Sequence, residues 1–160
     1  MLCASADMPA CLLNTYPSIS KTLIQNEAIG AIVVMMGGNE TPAQILPKAL
    51  ALLNEWTSVR NVTALACHIS QDHTGRSVHT YHNQAVLLEF TTPFLWAQIT
   101  AHLKSIERLC GRDDTKNSAE FGYLVALDLD ILAVQTHRWY VIAERLPFKA
   151  HEKLCLGLTA

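Results

Sequence analysis

Residues 28–36 form the segment of this sequence that most restricts its fold. They read AIGAIVVMM, without a polar side chain, and the turn-forming residues Gly37, Gly38 and Asn39 follow directly. A strand with one solvent-exposed face alternates apolar and polar side chains, whereas a strand covered on both sides is apolar throughout. The β-branched residues of the run also favour a strand. The run therefore predicts a strand that is buried on both faces.

The composition is that of a single folded domain with a hydrophobic core. The chain has 160 residues, of which 50% are hydrophobic and 16% are charged. A disordered chain has fewer apolar residues and more charged ones, so that class is excluded. The formal net charge is −2. Because non-specific binding to nucleic acid requires a basic surface, we expect no nucleic-acid partner.

The cysteines and the apolar segments predict a cytoplasmic protein. No apolar run reaches the length of about 18 residues that a membrane-spanning helix needs. No lysine or arginine precedes Lys21, so a secretory signal is not expected. Five cysteines without a C-x-x-C pair are typical of free thiols in a reducing compartment. They are Cys3, Cys11, Cys67, Cys110 and Cys155. We expect a monomer without a membrane partner.

The first part of the chain lacks a regular apolar period. Residues 1–28 contain Pro9 and Pro17 among small and polar residues. This composition predicts a loosely attached extension with a short helix from Ser18 to Glu27. The domain itself is predicted to comprise residues 29–160.

Two helices are predicted after the first strand. Thr41 and Gln44 have the spacing of a capping box, and Pro42 stands at the first helical position. A second helix is predicted from Thr92 onward, with apolar residues at helical spacing and Gly111 as the C-cap glycine.

The remaining segments complete the predicted fold. Strands are predicted over residues 59–69, 85–90, 124–134 and 139–142, and polar loops over 70–80 and 112–120. The resulting order, β-α-β-β-α-β-β, is that of a ferredoxin-like α+β sandwich. We therefore expect an antiparallel sheet with the helices packed mainly on one face.

Asp128 and Asp130 interrupt the apolar sequence LDLDIL of residues 127–132. Because side chains alternate along a strand, both carboxylates point to one face, with Cβ atoms roughly 7 Å apart. Paired carboxylates repel each other, and Mg²⁺ prefers oxygen ligands. The pair therefore indicates a site for Mg²⁺ ions that also bind phosphate oxygens. A solvent-exposed strand face without any ligand is the alternative.

The histidines of the middle of the chain are a second candidate metal site. Their spacing fits no standard zinc site, and no cysteine pair accompanies them. We interpret them as residues of a polar loop; they are His68, His73, His79 and His82.

Four segments, in this order, resemble the motifs of a known enzyme family. They are GGN at residues 37–39, YHNQA at 81–85, IERLCGR at 106–112 and LDLDIL at 127–132. Together they resemble G-S-N, Y/F-x-N-x-A/V, I-E-x-x-x-G-R and L-D-L-D-I-L of the hydroxymethyl-dihydropterin pyrophosphokinase family of folate biosynthesis. The resemblance covers most of the predicted domain, and the last two motifs are the most specific.

The resemblance implies an enzyme that transfers a pyrophosphoryl group from ATP to the hydroxymethyl oxygen of a reduced pterin. Asp128 and Asp130 match the aspartates that bind two Mg²⁺ ions with ATP as co-substrate. Asn83, with Tyr81 beside it, matches the asparagine that hydrogen-bonds the pterin edge. Arg112 matches a position at the nucleotide and would act with the two aspartates in catalysis.

The same resemblance implies further ligand contacts. Phe121 stands where the family has a tryptophan and would stack on the pterin ring. Tyr140 would cover the other side of the ring, and Arg138 would contact the ATP phosphates. Glu107 matches a position at the nucleotide site, and Ile131 would pack near the adenine.

The sequence departs from the family pattern mainly around the phosphates. The acidic pair at residues 113–114 stands where the family places another basic residue, and FGYLVALD at residues 121–128 lacks the proline and arginine of W-G-P-R-x-L-D. The segment between Asp130 and Arg138 is much shorter than in the family. Its histidine, His137, directly precedes Arg138 and is not matched to the phosphate-contacting histidine that the family has in this segment. The alternative function is therefore a relative that binds a pterin or a nucleotide with little or no catalysis. Cations available as replacements are Arg108, Lys116 and Arg145.

Overall fold

Six strands form one mixed sheet with three helices in the computed structural model, which describes residues 15–56, 58–74, 77–113 and 124–157. In chain order, the elements are β1 (Ser18–Ile19), β2 (Ile29–Gly38), α1 (Pro42–Glu55), β3 (Val59–Thr74), β4 (Ser77–Phe94), α2 (Trp96–Leu109), β5 (Asp128–Gln135), β6 (Trp139–Ile142) and α3 (Ala150–Cys155). Short 3₁₀ helices lie at Ile24–Asn26 and Ala143–Arg145. The strand order is β1-β6-β5-β2-β4-β3. The predicted α+β class is confirmed.

β2 is buried on both faces, as its composition predicts. Ile32 and Val34 are fully buried and belong to a core that includes side chains of α1 and α2. Ala31 and Val33 point to the other face, where they join a second core that includes Cys155 of α3. We call the first face the α1/α2 face and the second the α3 face.

The N-terminal residues differ from the prediction of a short helix over residues 18–27. Ser18 and Ile19 form β1 and pair with Val141 and Ile142 of β6 in parallel orientation. The sequence predicts an antiparallel sheet. The parallel β1–β6 pair makes the observed sheet mixed instead. Ile24 is fully buried in the core of the α1/α2 face. The tertiary contacts of these apolar side chains therefore decide the local structure.

The predicted polar loop over residues 70–80 is wrong, because β3 and β4 continue as a hairpin to Thr74 and Ser77. The two strands are joined by hydrogen bonds between their backbones, which form without an apolar pattern in the sequence. The start of α2 also differs, since β4 continues to Phe94 and the helix begins at Trp96. Gly111 follows α2 with φ = 91°, as a C-cap glycine requires.

The capping box predicted at Thr41 is also wrong. Pro42 does begin α1, but Thr41 has the left-handed conformation (φ 44°, ψ 49°) and makes no side-chain capping bond. An N-cap side chain reaches the helix amides from an extended conformation, which Thr41 does not have. Its carbonyl oxygen accepts the amide hydrogen of Gln44 at 3.0 Å instead. Among the described residues, no helix is long and apolar enough to cross a membrane.

Candidate functional site

Asp128 and Asp130 begin β5 and point to the α3 face. Both line a cavity of about 450 Å³, which we call the large cavity. Other residues that line it are Gly37, Tyr81, Asn83, Lys149, His151 and Glu152. Between the two aspartates, Leu129 points to the opposite face and is buried in the α1/α2 core. Strand alternation therefore separates the carboxylates from the core, as the sequence predicts.

The two carboxylates lie close enough to affect each other. Burial and the neighbouring Asp130 carboxylate raise the pKa of Asp128, and the Arg112 guanidinium offsets only part of this effect. Nη1 of Arg112 is 3.7 Å from Oδ1 of Asp128 and donates a hydrogen bond of 3.2 Å to the carbonyl of Leu127. Arg112 thus lies beside Asp128.

Asp130 is paired with Arg145. Nη2 of Arg145 is 3.2 Å from Oδ2 of Asp130 and also contacts Oε1 of Glu152. Glu152 is 1% exposed, and its Oε2 accepts the backbone amide hydrogen of Lys149 at 2.8 Å. Arg145 therefore connects the strand that carries the aspartates to the first turn of α3.

A second cavity of about 200 Å³ lies at the other side of β5 and is called the small cavity. Among its lining residues are Lys21, Trp96, Lys104, Asp130, Ile131 and Arg145. Three of these residues carry positive charge, and Asp130 lines both cavities. The small cavity combines cationic and apolar groups, a combination that suits a ligand with both a ring and phosphates.

The glycine-rich turn after β2 holds the segment that leads into β5. A Cβ on Gly38 would lie 2.4 Å from the carbonyl oxygen of Ala126, so only glycine allows this close approach. The backbone amide of Asn39 donates to the carbonyl of Val125 at 2.9 Å. In return, Oδ1 of Asn39 accepts the amide hydrogen of Val125 at 2.6 Å. The GGN motif thereby fixes the chain just before Asp128.

Asn83 and Tyr81 lie on β4, which β2 separates from the strand of the aspartates. Asn83 is 5% exposed and pairs with Gly37 of β2, whose own Cβ would lie 3.0 Å from the Asn83 Oδ1 atom. The absence of a side chain at Gly37 therefore leaves room for the Asn83 amide. Asn83 and Tyr81, two of the four predicted substrate-binding residues, line the same cavity as Asp128 and Asp130.

Glu107 connects α2 to β5. It is 1% exposed; its Oε1 accepts the backbone amide hydrogen of Leu129 at 2.9 Å, and its Oε2 forms an ion pair of 2.7 Å with Lys104. Glu107 is not among the residues that line the large or the small cavity. In this structure it positions the backbone between the two aspartates, rather than facing a ligand as the resemblance implies.

Arg138 and Tyr140 lie apart from the aspartates. Tyr140 packs against the core of the α1/α2 face, and Nε of Arg138 donates to its hydroxyl at 3.1 Å. The Arg138 guanidinium lies 5.0 Å from the centre of the Tyr140 ring. Neither residue lines either cavity, so the structure does not bring this pair to the predicted ligand site. Phe121 lies outside the described residues, whereas Ile131 lines the small cavity.

The donor set at the aspartates fits Mg²⁺. Within the described ranges, no group of three or more histidine, cysteine and acidic residues has the arrangement of a metal site. A Mg²⁺ ion held by Asp128 and Asp130 would take its other ligands from phosphate oxygens and water, as Mg²⁺ at nucleotide sites generally does.

Sequence reasoning missed the contribution of the C-terminal residues. Lys149, His151 and Glu152 line the large cavity, although no motif pointed to them. The available signal was Glu152 at the third position of a helix preceded by Pro147, where its carboxylate accepts the first free amide. No protein-family model matches this chain, and no curated protein matches it at a significant level.

Proposed function

We propose that this protein transfers a pyrophosphoryl group from ATP to the hydroxymethyl group of a reduced pterin, as a divergent relative of the pyrophosphokinases of folate biosynthesis. The observation that carries the proposal is the shared wall of the two cavities. The large cavity has the amide of Asn83 and the small one has Lys21, Lys104 and Arg145, while Asp130 belongs to both. Two substrates bound in these cavities would meet at this carboxylate.

The strand arrangement supports a ferredoxin-like fold for this function. Along the chain, the central strands are β2, β3, β4 and β5, and across the sheet they follow the order β5-β2-β4-β3, all antiparallel. With the helices after β2 and β4, this is the order of a split β-α-β sandwich. The thiols of Cys110 and Cys155 are buried, which supports a location in the reducing cytoplasm.

The proposed division of the ligands follows from their chemistry. A pterin is a flat ring whose edge both donates and accepts hydrogen bonds, and an amide such as Asn83 can match such an edge. The phosphates require cations, which the small cavity provides, and Ile131 offers an apolar surface for the purine. Mg²⁺ held by Asp128 and Asp130 would neutralise phosphate charge when bound.

The transfer itself requires positioning and charge neutralisation rather than a protein nucleophile. The hydroxymethyl oxygen attacks the β-phosphorus, the bond between that phosphorus and the oxygen to the α-phosphorus breaks, and AMP leaves. The hydroxyl proton passes to solvent. Arg145 and Lys104 line the small cavity, where they stabilise the charge on the phosphate oxygens.

The test is the release of AMP from ATP in the presence of Mg²⁺ and 6-hydroxymethyl-dihydropterin. We expect product formation by the wild type and a loss of about 100-fold or more in rate for Asp130→Asn, which removes a carboxylate that would hold Mg²⁺ at the reacting phosphates. Glu55→Gln, at the exposed end of α1, is the matched control. A wild-type protein that forms no AMP above the control without enzyme would refute the proposal.

Binding without turnover is the second candidate function. It is favoured by the position of Arg138, which contacts Tyr140 and lines neither cavity. Isothermal titration would then give saturable binding of the pterin or of ATP, while AMP release stays at the background rate.

A further inference from the structure

Arg145 is half-buried, and its hydrogen bonding is incomplete. One nitrogen, Nη2, contacts the carboxylates of both Asp130 and Glu152. The Nε atom is buried, and no residue within the described part of the chain accepts its hydrogen. Buried donors are nearly always paired, because an unpaired one loses its hydrogen bonds to water without replacement. The guanidinium thus has a free donor while one of its nitrogens serves two acceptors.

The position of Arg145 also places it in competition with a metal ion. Its guanidinium and a divalent ion would both bind the carboxylate of Asp130, and their like charges repel each other at that distance. Glu152 lies deeper in the protein, where its Oε2 is held by the amide of Lys149. Glu152 can therefore keep Arg145 in place when Asp130 no longer does.

We infer that Arg145 exchanges partners at the small cavity: it leaves Asp130 when that carboxylate binds a divalent ion, stays on Glu152, and donates through its guanidinium to a phosphate oxygen of a nucleoside triphosphate. The inference rests on the proposed function for the identity of the ligand. Nε is buried while Arg145 is held on Asp130, so it becomes accessible only when the guanidinium moves away. A phosphate oxygen would then accept a charge-assisted hydrogen bond from this donor. Arg145 thereby replaces a cation that the sequence lacks around the phosphates.

The test uses the double variant Arg145→Gln/Glu152→Gln, which removes a positive and a negative charge together. This choice avoids leaving Glu152 as an unpaired buried charge. The matched control is Arg60→Gln/Glu89→Gln, because these residues form an ion pair of 3.6 Å outside both cavities. Calorimetry then measures the binding of two probes: Mg²⁺ alone, and α,β-methylene-ATP with saturating Mg²⁺.

The two probes are expected to respond in opposite directions. The double variant should bind α,β-methylene-ATP about 10-fold more weakly or worse, since it lacks one charged hydrogen bond. It should bind Mg²⁺ alone several-fold more tightly, because Asp130 has lost its competing cation. The control variant should match the wild type with both probes. If Arg145 only stabilises the fold, both affinities fall together or neither changes, and either result overturns the inference.

Arg145→Lys is the second variant, in case the double variant does not fold. It keeps a positive charge beside Glu152 but lacks the planar fork of donors. We expect at least about threefold weaker binding of the analogue, and unchanged binding would overturn the inference.

Failure of the inference is distinguishable from failure of the proposed function. A wild type that releases AMP, together with variants that bind the analogue normally, overturns the role of Arg145 alone. A wild type without AMP release whose Arg145 variants bind the analogue more weakly supports the role of Arg145 and refutes the pyrophosphokinase. A wild type that does not bind the analogue overturns both.

Discussion

Replacement of Gly38 by alanine tests how the glycine-rich turn positions the candidate site. The new Cβ would lie 2.4 Å from the carbonyl oxygen of Ala126, well inside a normal contact distance. The obstacle is backbone rather than a flexible side chain, so either β2 or the segment before β5 must move. We expect the move to disturb Asp128, which follows Ala126 by two positions along the chain.

The magnitude follows from the bonds that such a move would break. The amides of Asn39 and Glu40 donate to the carbonyl of Val125 at 2.9 and 3.1 Å, and the amide of Val125 donates to Oδ1 of Asn39 at 2.6 Å. Each bond contributes about 1 kcal/mol net, and overpacking typically costs about 1–3 kcal/mol. Since a shift relieves part of the clash while weakening some of these bonds, we expect a loss of about 2–4 kcal/mol in the free energy of unfolding.

Urea denaturation followed by circular dichroism measures this loss, with Gly30→Ala as the control in the same strand. The nearest atom to a Cβ on Gly30 is the carbonyl oxygen of Gln135 at 4.0 Å, so the control should stay within about 1 kcal/mol of the wild type. We also expect Gly38→Ala to bind Mg²⁺ with α,β-methylene-ATP more weakly. The reasoning is refuted if Gly38→Ala is as stable as the wild type, or if both alanine variants lose the same stability.

Three further predictions concern individual side chains. The pKa of Asp128 is raised in the folded protein, so its ionised form at pH 7 opposes folding. Asp128→Asn should therefore raise the free energy of unfolding at pH 7, by less than about 1 kcal/mol because the side chain is 43% exposed. The urea midpoints of the variant and the wild type should converge as the pH falls through that raised pKa. A variant less stable than wild type at pH 7 would contradict this. Glu107→Ala leaves the amide of Leu129 without its acceptor and Lys104 without its partner, so thermal denaturation should show a loss of about 2–4 kcal/mol; an unchanged midpoint would argue against this bridge. Asn83→Ala should weaken pterin binding about 10-fold and leave the binding of α,β-methylene-ATP unchanged in calorimetry, and equal effects on both ligands would refute separate cavities.

The parts of the fold that the sequence predicts are those set by local pattern. The apolar run of residues 28–36 predicts a strand buried on both faces, and Ile32 and Val33 are indeed fully buried on opposite faces. Gly111 ends a helix in the conformation that its residue type favours. The alternation that places Asp128 and Asp130 in one cavity follows from strand geometry alone.

The errors lie where long-range contacts decide the structure. The β3–β4 hairpin extends through polar residues because backbone pairing with a neighbouring strand, rather than apolar burial, maintains it. Thr41 has the residue type of an N-cap but a left-handed backbone, in a turn whose neighbours bond to Val125 far along the chain. A single sequence does not reveal such distant partners.

The candidate site shows the same division. The two aspartates and Asn83 belong to sequence motifs and were predictable from them, and all three line one cavity. Glu107 also comes from a motif, yet its carboxylate is used for the amide of Leu129, a partner that depends on how α2 packs against β5. Glu152 belongs to no motif and reaches the cavity only because α3 packs on the second face of the sheet.

The two-residue strand β1 has a consequence for shortened versions of the protein. Ser18 and Ile19 cover the outer edge of β6, and Val141 donates its amide hydrogen to the carbonyl of Pro17 at 3.0 Å. A chain that started at Ile29 would leave these hydrogen-bonding groups exposed, and a bare edge recruits strands from other molecules. Such a truncated protein should aggregate at concentrations at which the longer chain stays in solution.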